Sequence, residues 1–258
     1  MHTIKVQSPD GTSIAVDVSG AGPALVLLHG SLVLADYWDA VLPALAEHFT
    51  VYAVERRGRG RSPAASHTLE REREDATAVI ESIGAPVHLL GHSWGAVVAL
   101  LAAQVTTNIA RLILYEPPLP LVAPVVSGER LAEAHLLGER GDWVGSLRVA
   151  LRSVGIEDGY PESDVDDSPI SWPAMVRSMP SWLPELDECV ALSPDPNSWV
   201  VAQETLVLVG TEHPQRTMQK LLCVQRNARI WSLPGQGHEA PITAPSLFAS
   251  EVIRFLAT

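Results

Sequence analysis

Apolar and polar residues alternate over residues 3–8 and again over 12–18, with Asp10-Gly11 between them. That pattern predicts a β-hairpin at the start of the chain. Ala24 to Leu28 is instead an unbroken apolar run, as in a strand buried on both faces. Trp38 to His48 has helical spacing, Val51 to Val54 is a further buried strand, and Leu69 to Ser82 reads as a helix. Val87 to Leu90 predicts a strand, about Trp94 to Gln104 a helix, and Arg111 to Tyr115 another strand. Leu206 to Val209 and Arg229 to Leu233 add two strands, and Ser246 to Leu256 closes as a helix with Phe248, Val252, Phe255 and Leu256 on one face. Strands alternating with helices place the chain in the α/β class. The expectation is a mostly parallel eight-stranded sheet with helices on both faces.

The alternation breaks between about Leu119 and Gln203, where prolines cluster with Trp143, Trp172, Trp182 and Trp199. Helical patterning appears near 129–139 and 142–153, with shorter pieces later. This stretch reads as an inserted helical cap. The expected organisation is core over 1–118, cap over 119–203 and core over 204–258. The run Glu70 to Asp75 reads as a solvated helical face with local ion pairs. The acidic segment Asp158 to Asp167 carries no functional reading.

The sharpest local motif is Gly91-His92-Ser93-Trp94-Gly95, a G-x-S-x-G between a predicted strand and a predicted helix. A surface turn can match it by chance, and the strand-to-helix context argues against that. Small flanking residues let strand and helix approach, so that a serine on a strained turn lifts its hydroxyl clear of the sheet. The Trp94 N–H, at the positive end of the helix, then faces a developing oxyanion. His29-Gly30-Ser31 follows the first buried strand, and the Ser31 N–H is the expected second oxyanion donor, with a possible contribution from its hydroxyl. His29 itself reads as a buried histidine holding the loop. Gly235-Gln236-Gly237-His238 follows the last strand and offers His238 as the base, later in the chain than the nucleophile Ser93.

The net charge of −12 and pI near 5.1 argue against a nucleic-acid partner and a polybasic membrane anchor. No apolar run approaches the roughly 20 residues of a membrane span, and the N-terminus shows no signal-peptide core. Cys189 and Cys223 lack metal-ligand spacing and read as free thiols in a reducing cytoplasm. The expectation is a cytoplasmic enzyme, monomer or homodimer, that acts on a small molecule without metal or cofactor.

Together His-Gly-Ser, Gly-His-Ser-Trp-Gly and Gly-Gln-Gly-His resemble the α/β-hydrolase superfamily in its capped, cofactor-free esterase-like branch. Glu55 to Ser62 is similar to that family's D-x-R-G-x-G-x-S turn, with Glu for Asp. The resemblance implies a catalytic acid after the strand at 206–209, yet the segment reads Gly210-Thr211-Glu212-His213-Pro214 and puts a histidine where the aspartate is expected. Some members, haloalkane dehalogenases among them, carry a glutamate at the end of the strand after the nucleophile helix. That implies Glu116 as the preferred acid, with Glu212 as the alternative and no acid as the third possibility.

The resemblance implies hydrolysis of a carboxylic ester or lactone of a small apolar substrate through an acyl-enzyme. A non-hydrolytic cyclase, lyase or acyltransferase on the same fold is the alternative, and a binding protein without catalysis is a weaker one. Ser93 in place of an aspartate disfavours a dehalogenase or an epoxide hydrolase.

Overall fold

The computed structural model describes residues 1–63, 66–157, 160, 162, 165–166, 168–212 and 216–257. Eight strands form one sheet: β1 (His2–Gln7), β2 (Ser13–Gly20), β3 (Ala24–Leu28), β4 (Thr50–Val54), β5 (Val87–His92), β6 (Ile109–Tyr115), β7 (Glu204–Gly210) and β8 (Ala228–Leu233). Their order is β1-β2-β4-β3-β5-β6-β7-β8. β2 runs antiparallel to both neighbours, and every other pair is parallel. The mostly parallel α/β sheet expected from the alternation is what forms.

The helices are α1 (Leu42–Ala46), α2 (Leu69–Ile83), α3 (Trp94–Val105), α4 (Gly128–Glu139), α5 (Trp143–Ser153), α6 (Trp172–Val190), α7 (Arg216–Val224), α8 (Ala240–Thr243) and α9 (Pro245–Leu256). Alternate residues of β3 feed two cores. Val26 and Leu28 join the α2, α3 and α4–α6 side, while Leu25 and Leu27 pack with Trp38, Leu45, Phe248 and Val252 on the other. Burial on both faces explains why the inner strands read as continuous apolar runs.

Three local expectations change. Trp38 to His48 is not one helix but a 3-10 turn over Ala35–Trp38 followed by the short α1, because Pro43 opens a new helix and lacks the N–H that a continuous one would need. The proline-rich region after 170 holds one 19-residue helix, α6, rather than short pieces. Pro180 and Pro184 each forfeit a backbone bond, but the buried face of Met175, Met179, Trp182 and Leu186 holds the helix together. The charged run of α2 is only partly solvated. Arg71–Glu74 and Arg73–Glu70 are surface pairs, whereas Glu72 and Asp75 are buried.

The register aligns the C-terminal ends of the inner strands. Leu28 pairs with Gly91, His92 with Tyr115, and Tyr115 with Leu208. The residues just beyond β3, β5, β6, β7 and β8 therefore share one edge of the sheet, facing the three helices between β6 and β7.

Candidate active site

Ser93 sits between β5 and α3 with φ 52° and ψ −124°, a sparsely populated conformation for a residue with a side chain. It persists because the surroundings over-determine it. The Ser93 N–H donates to Tyr115 O at 2.8 Å and the Ala96 N–H to Ser93 O at 2.9 Å. The flanking glycines are required by space. A Cβ on Gly91 would stand 2.4 Å from Gly95 O, and one on Gly95 2.3 Å from Leu28 O. Among the described residues the non-glycine positions with positive φ are Leu32, Ser93 and Glu116, and all three line one cavity of about 830 Å³. Backbone strain is thus concentrated around a single chamber.

Glu116 follows β6 at φ 47° and precedes Pro117 and Pro118. Its carboxylate oxygens have separate partners. Oε1 accepts the Gly210 N–H at 2.8 Å, and Oε2 lies 2.6 Å from His238 Nδ1. Glu116 is buried and His238 half-buried. The loop bearing His238 packs against Gly210, where a Cβ would come 2.1 Å from Gln236 O. Tyr115 anchors the same loop, its hydroxyl donating to Gly237 O and accepting from the Ala240 N–H at 3.3 Å. Glu212 lines the cavity but is exposed, and its carboxylate makes no hydrogen bond or ion pair among the described residues. His213, where the family pattern expects an aspartate, lies outside the described residues, as does part of the segment 158–167.

His92 packs beneath the serine turn, with Tyr37 and Tyr115 stacked on it at 4.9 and 5.1 Å and the His238 ring centroid 4.5 Å away. His29 is fully buried: Nδ1 donates to Gly30 O at 2.8 Å and Nε2 accepts the Arg56 N–H at 3.2 Å. Burial pushes both imidazoles well below the ordinary histidine range, so both are neutral. Ser31 and Trp94 both border the cavity, and their N–H groups have no acceptor among the described residues. The Ser31 hydroxyl is differently engaged than expected: it donates to Glu185 on α6 at 2.7 Å.

Glu185 was not singled out by the motifs. The signal for it was a lone carboxylate on the apolar face of α6, among Trp182, Leu183, Leu186 and Cys189. It meets Arg56 and Arg59 of the turn after β4. His67, Glu72 and Glu185 bring potential metal-ligating atoms within 4.8 Å of one another. Arg56 bonds both carboxylates, with Nε donating to Glu72 at 2.6 Å, so guanidinium already supplies the cationic charge there. Cys189 also lines the cavity, but burial pushes its thiol up to about 12 and disqualifies it as a nucleophile. Of the four tryptophans between 119 and 203, Trp182 lines the cavity, while Trp172 and Trp199 are buried in packing.

Known proteins share this architecture. Over 100 residues the chain is 43% identical to the probable oxidoreductase EphD of Mycobacterium tuberculosis, a stretch covering 36% of this chain and 17% of that protein. Over 90 residues it is 39% identical to the pimeloyl-[acyl-carrier protein] methyl ester esterase of Methylococcus capsulatus, covering 34% of each. The chain thus spans about a third or less of the length of these curated relatives. An alpha/beta hydrolase structure from Sphaerobacter thermophilus is 30% identical, with a TM-score of 0.83, covering 98% of this chain and 100% of that one. The model of the alpha/beta hydrolase family matches residues 25–251. The chain belongs to the alpha/beta hydrolase family.

Proposed function

We propose that this protein is a serine hydrolase that cleaves a carboxylic ester or lactone of an apolar small molecule, with Ser93 as nucleophile, His238 as base and Glu116 as acid. The observation that carries the reading is the 2.6 Å contact between His238 Nδ1 and Glu116 Oε2 beside a strained Ser93. An imidazole that gives its Nδ1–H to a carboxylate presents Nε2 as the base nitrogen. His238 takes the Ser93 proton as Oγ attacks the carbonyl carbon. The Ser31 and Trp94 N–H groups hold the oxyanion, and the protonated imidazole returns its proton to the departing alcohol. A water molecule, deprotonated by the same imidazole, then releases the acid and regenerates Ser93.

In this reading residues 119–203 form the cap over core segments 1–118 and 204–258. Leu119, Leu151, Ile156, Met175 and Trp182 give the chamber its apolar walls, which suits an uncharged acyl or ring-shaped group. The unpaired Cys189 and Cys223 support a reducing, cytoplasmic setting. Among the described residues no helix is long and apolar enough to cross a membrane.

Fluorophosphonate labelling and hydrolysis of short p-nitrophenyl esters test the reading. Both are expected in the wild-type protein and both vanish in Ser93→Ala. A folded wild type that neither labels nor turns over would overturn it.

A further inference from the structure

We infer that Glu185 is a positioning residue, which ties the oxyanion loop and the start of α3 to α6 and so makes the spacing of the Ser31 and Trp94 N–H groups depend on how α6 is seated. The inference rests on the hydrolase reading above.

Glu185 is 1% exposed, and it is the one carboxylate on the buried face of α6 among the described residues. A carboxylate there is tolerated only if its charge and lone pairs are matched. The partners all come from the sheet side. Arg56 Nη2 donates to Oε1, Arg59 Nη2 stands 2.6 Å from the same oxygen, and the Ser31 hydroxyl donates to Oε2. Burial opposes ionisation of Glu185, but the charges of Arg56 and Arg59 outweigh it and hold the carboxyl below its ordinary range.

The contacts continue from there to both proposed oxyanion donors. Arg56 Nη1 donates to the carbonyls of His29 and Gly30, at 3.2 and 2.9 Å, and so holds the backbone that presents the Ser31 N–H. Arg56 Nε donates to Glu72 Oε2 at 2.6 Å, and Glu72 Oε1 accepts the Trp94 indole N–H at 2.8 Å. Residues 29–31 belong to no helix or strand, and Leu32 beyond them has φ 62°. A loop so built needs outside fixation to keep a donor at hydrogen-bond distance from a transient charge. Two guanidiniums face two carboxylates in this cluster. Replacing the Glu185 carboxylate by an amide takes away the ion pair of Arg59 with Glu185 and turns the charged acceptor of the Ser31 hydroxyl into a weaker neutral one.

The experiment compares Glu185→Gln, Ser31→Ala and their double variant with wild type. It measures kcat and KM on a p-nitrophenyl ester, the rate of fluorophosphonate labelling, and the thermal midpoint. A displaced oxyanion donor costs transition-state stabilisation rather than substrate binding. Each single variant is therefore expected to lose about tenfold or more in kcat with KM within about threefold, and labelling should slow in parallel. The double variant should lose no more than the worse single one. If Glu185→Gln does not fold, Ser31→Ala, which leaves the ion cluster intact, must still show the kcat loss. Folded single variants with unchanged kcat and labelling, or a change confined to KM or the thermal midpoint, would overturn the inference alone. A wild type without labelling or turnover would overturn the hydrolase reading and this inference with it.

Discussion

His238 and Glu116 are 122 residues apart in the chain, yet Nδ1 of one meets Oε2 of the other at 2.6 Å. The Gly210 N–H fixes the second carboxylate oxygen, so the Glu116 side chain is oriented as well as close. Glu116→Gln keeps the shape but lets an amide N–H face Nδ1, which favours the wrong imidazole tautomer. The expected loss in kcat is about 10³ to 10⁴. Glu212→Gln should stay within about threefold of wild type. Steady-state kinetics on an activated ester decides between them, and the reverse pattern would make Glu212 the acid.

The serine turn depends on two places where backbone meets backbone. Gly95→Ala would push a methyl group against Leu28 O and His29 O, at 2.3 and 2.4 Å. Neither atom is the movable end of a side chain. The expected cost is about 3 kcal/mol or more, read as loss of soluble protein or a lowered denaturant midpoint. A Gly95→Ala protein of unchanged stability would show that the turn can relax.

Buried neutral His29 and His92 should make stability depend on pH. Their folded-state affinity for protons is depressed by burial, while the unfolded chain takes them up around the ordinary value of 6.5. The unfolded state then binds more protons below that value, so stability is full above pH 6.5 and falls as pH drops. Each histidine contributes about 1.4 kcal/mol per pH unit at the steepest. Urea unfolding between pH 7.5 and 5.5 measures this. His92→Phe, which replaces the titrating ring by one of similar shape that takes up no proton, should flatten the slope.

Trp182 and Trp199 are both buried, but Trp182 alone of the two lines the chamber. Trp199 packs away from it, its indole N–H donating to Ser193 O at 3.0 Å. Truncation of either to alanine should cost about 3 to 5 kcal/mol in thermal or chemical unfolding. Trp182→Ala should in addition shift preference toward bulkier acyl groups along a series of p-nitrophenyl esters. A shift of equal size in Trp199→Ala would refute this division of roles.

The alternation of buried strands and helices, the G-x-S-x-G turn between β5 and α3, and the order of Ser93 before His238 were all legible in the chain, because each depends on residues close together in sequence. Periodicity marks which face is buried, and glycine marks where backbone approaches backbone. Other features were not legible. Pro180 and Pro184 argued against the long α6, which tertiary packing nevertheless holds together. Two acids of α2 that looked solvated, Glu72 and Asp75, are buried beneath the turn after β4. The choice between Glu116 and Glu212 as partner of His238 follows from the register of β6 against β7 and the path of the loop after β8. Glu185 reaches Ser31 and Arg56 only because α6 is laid across the sheet edge. Sequence determined the elements and the residues able to do chemistry, whereas the tertiary structure decided which of those residues meet, because the contacts depend on strand register and helix placement that no local pattern encodes.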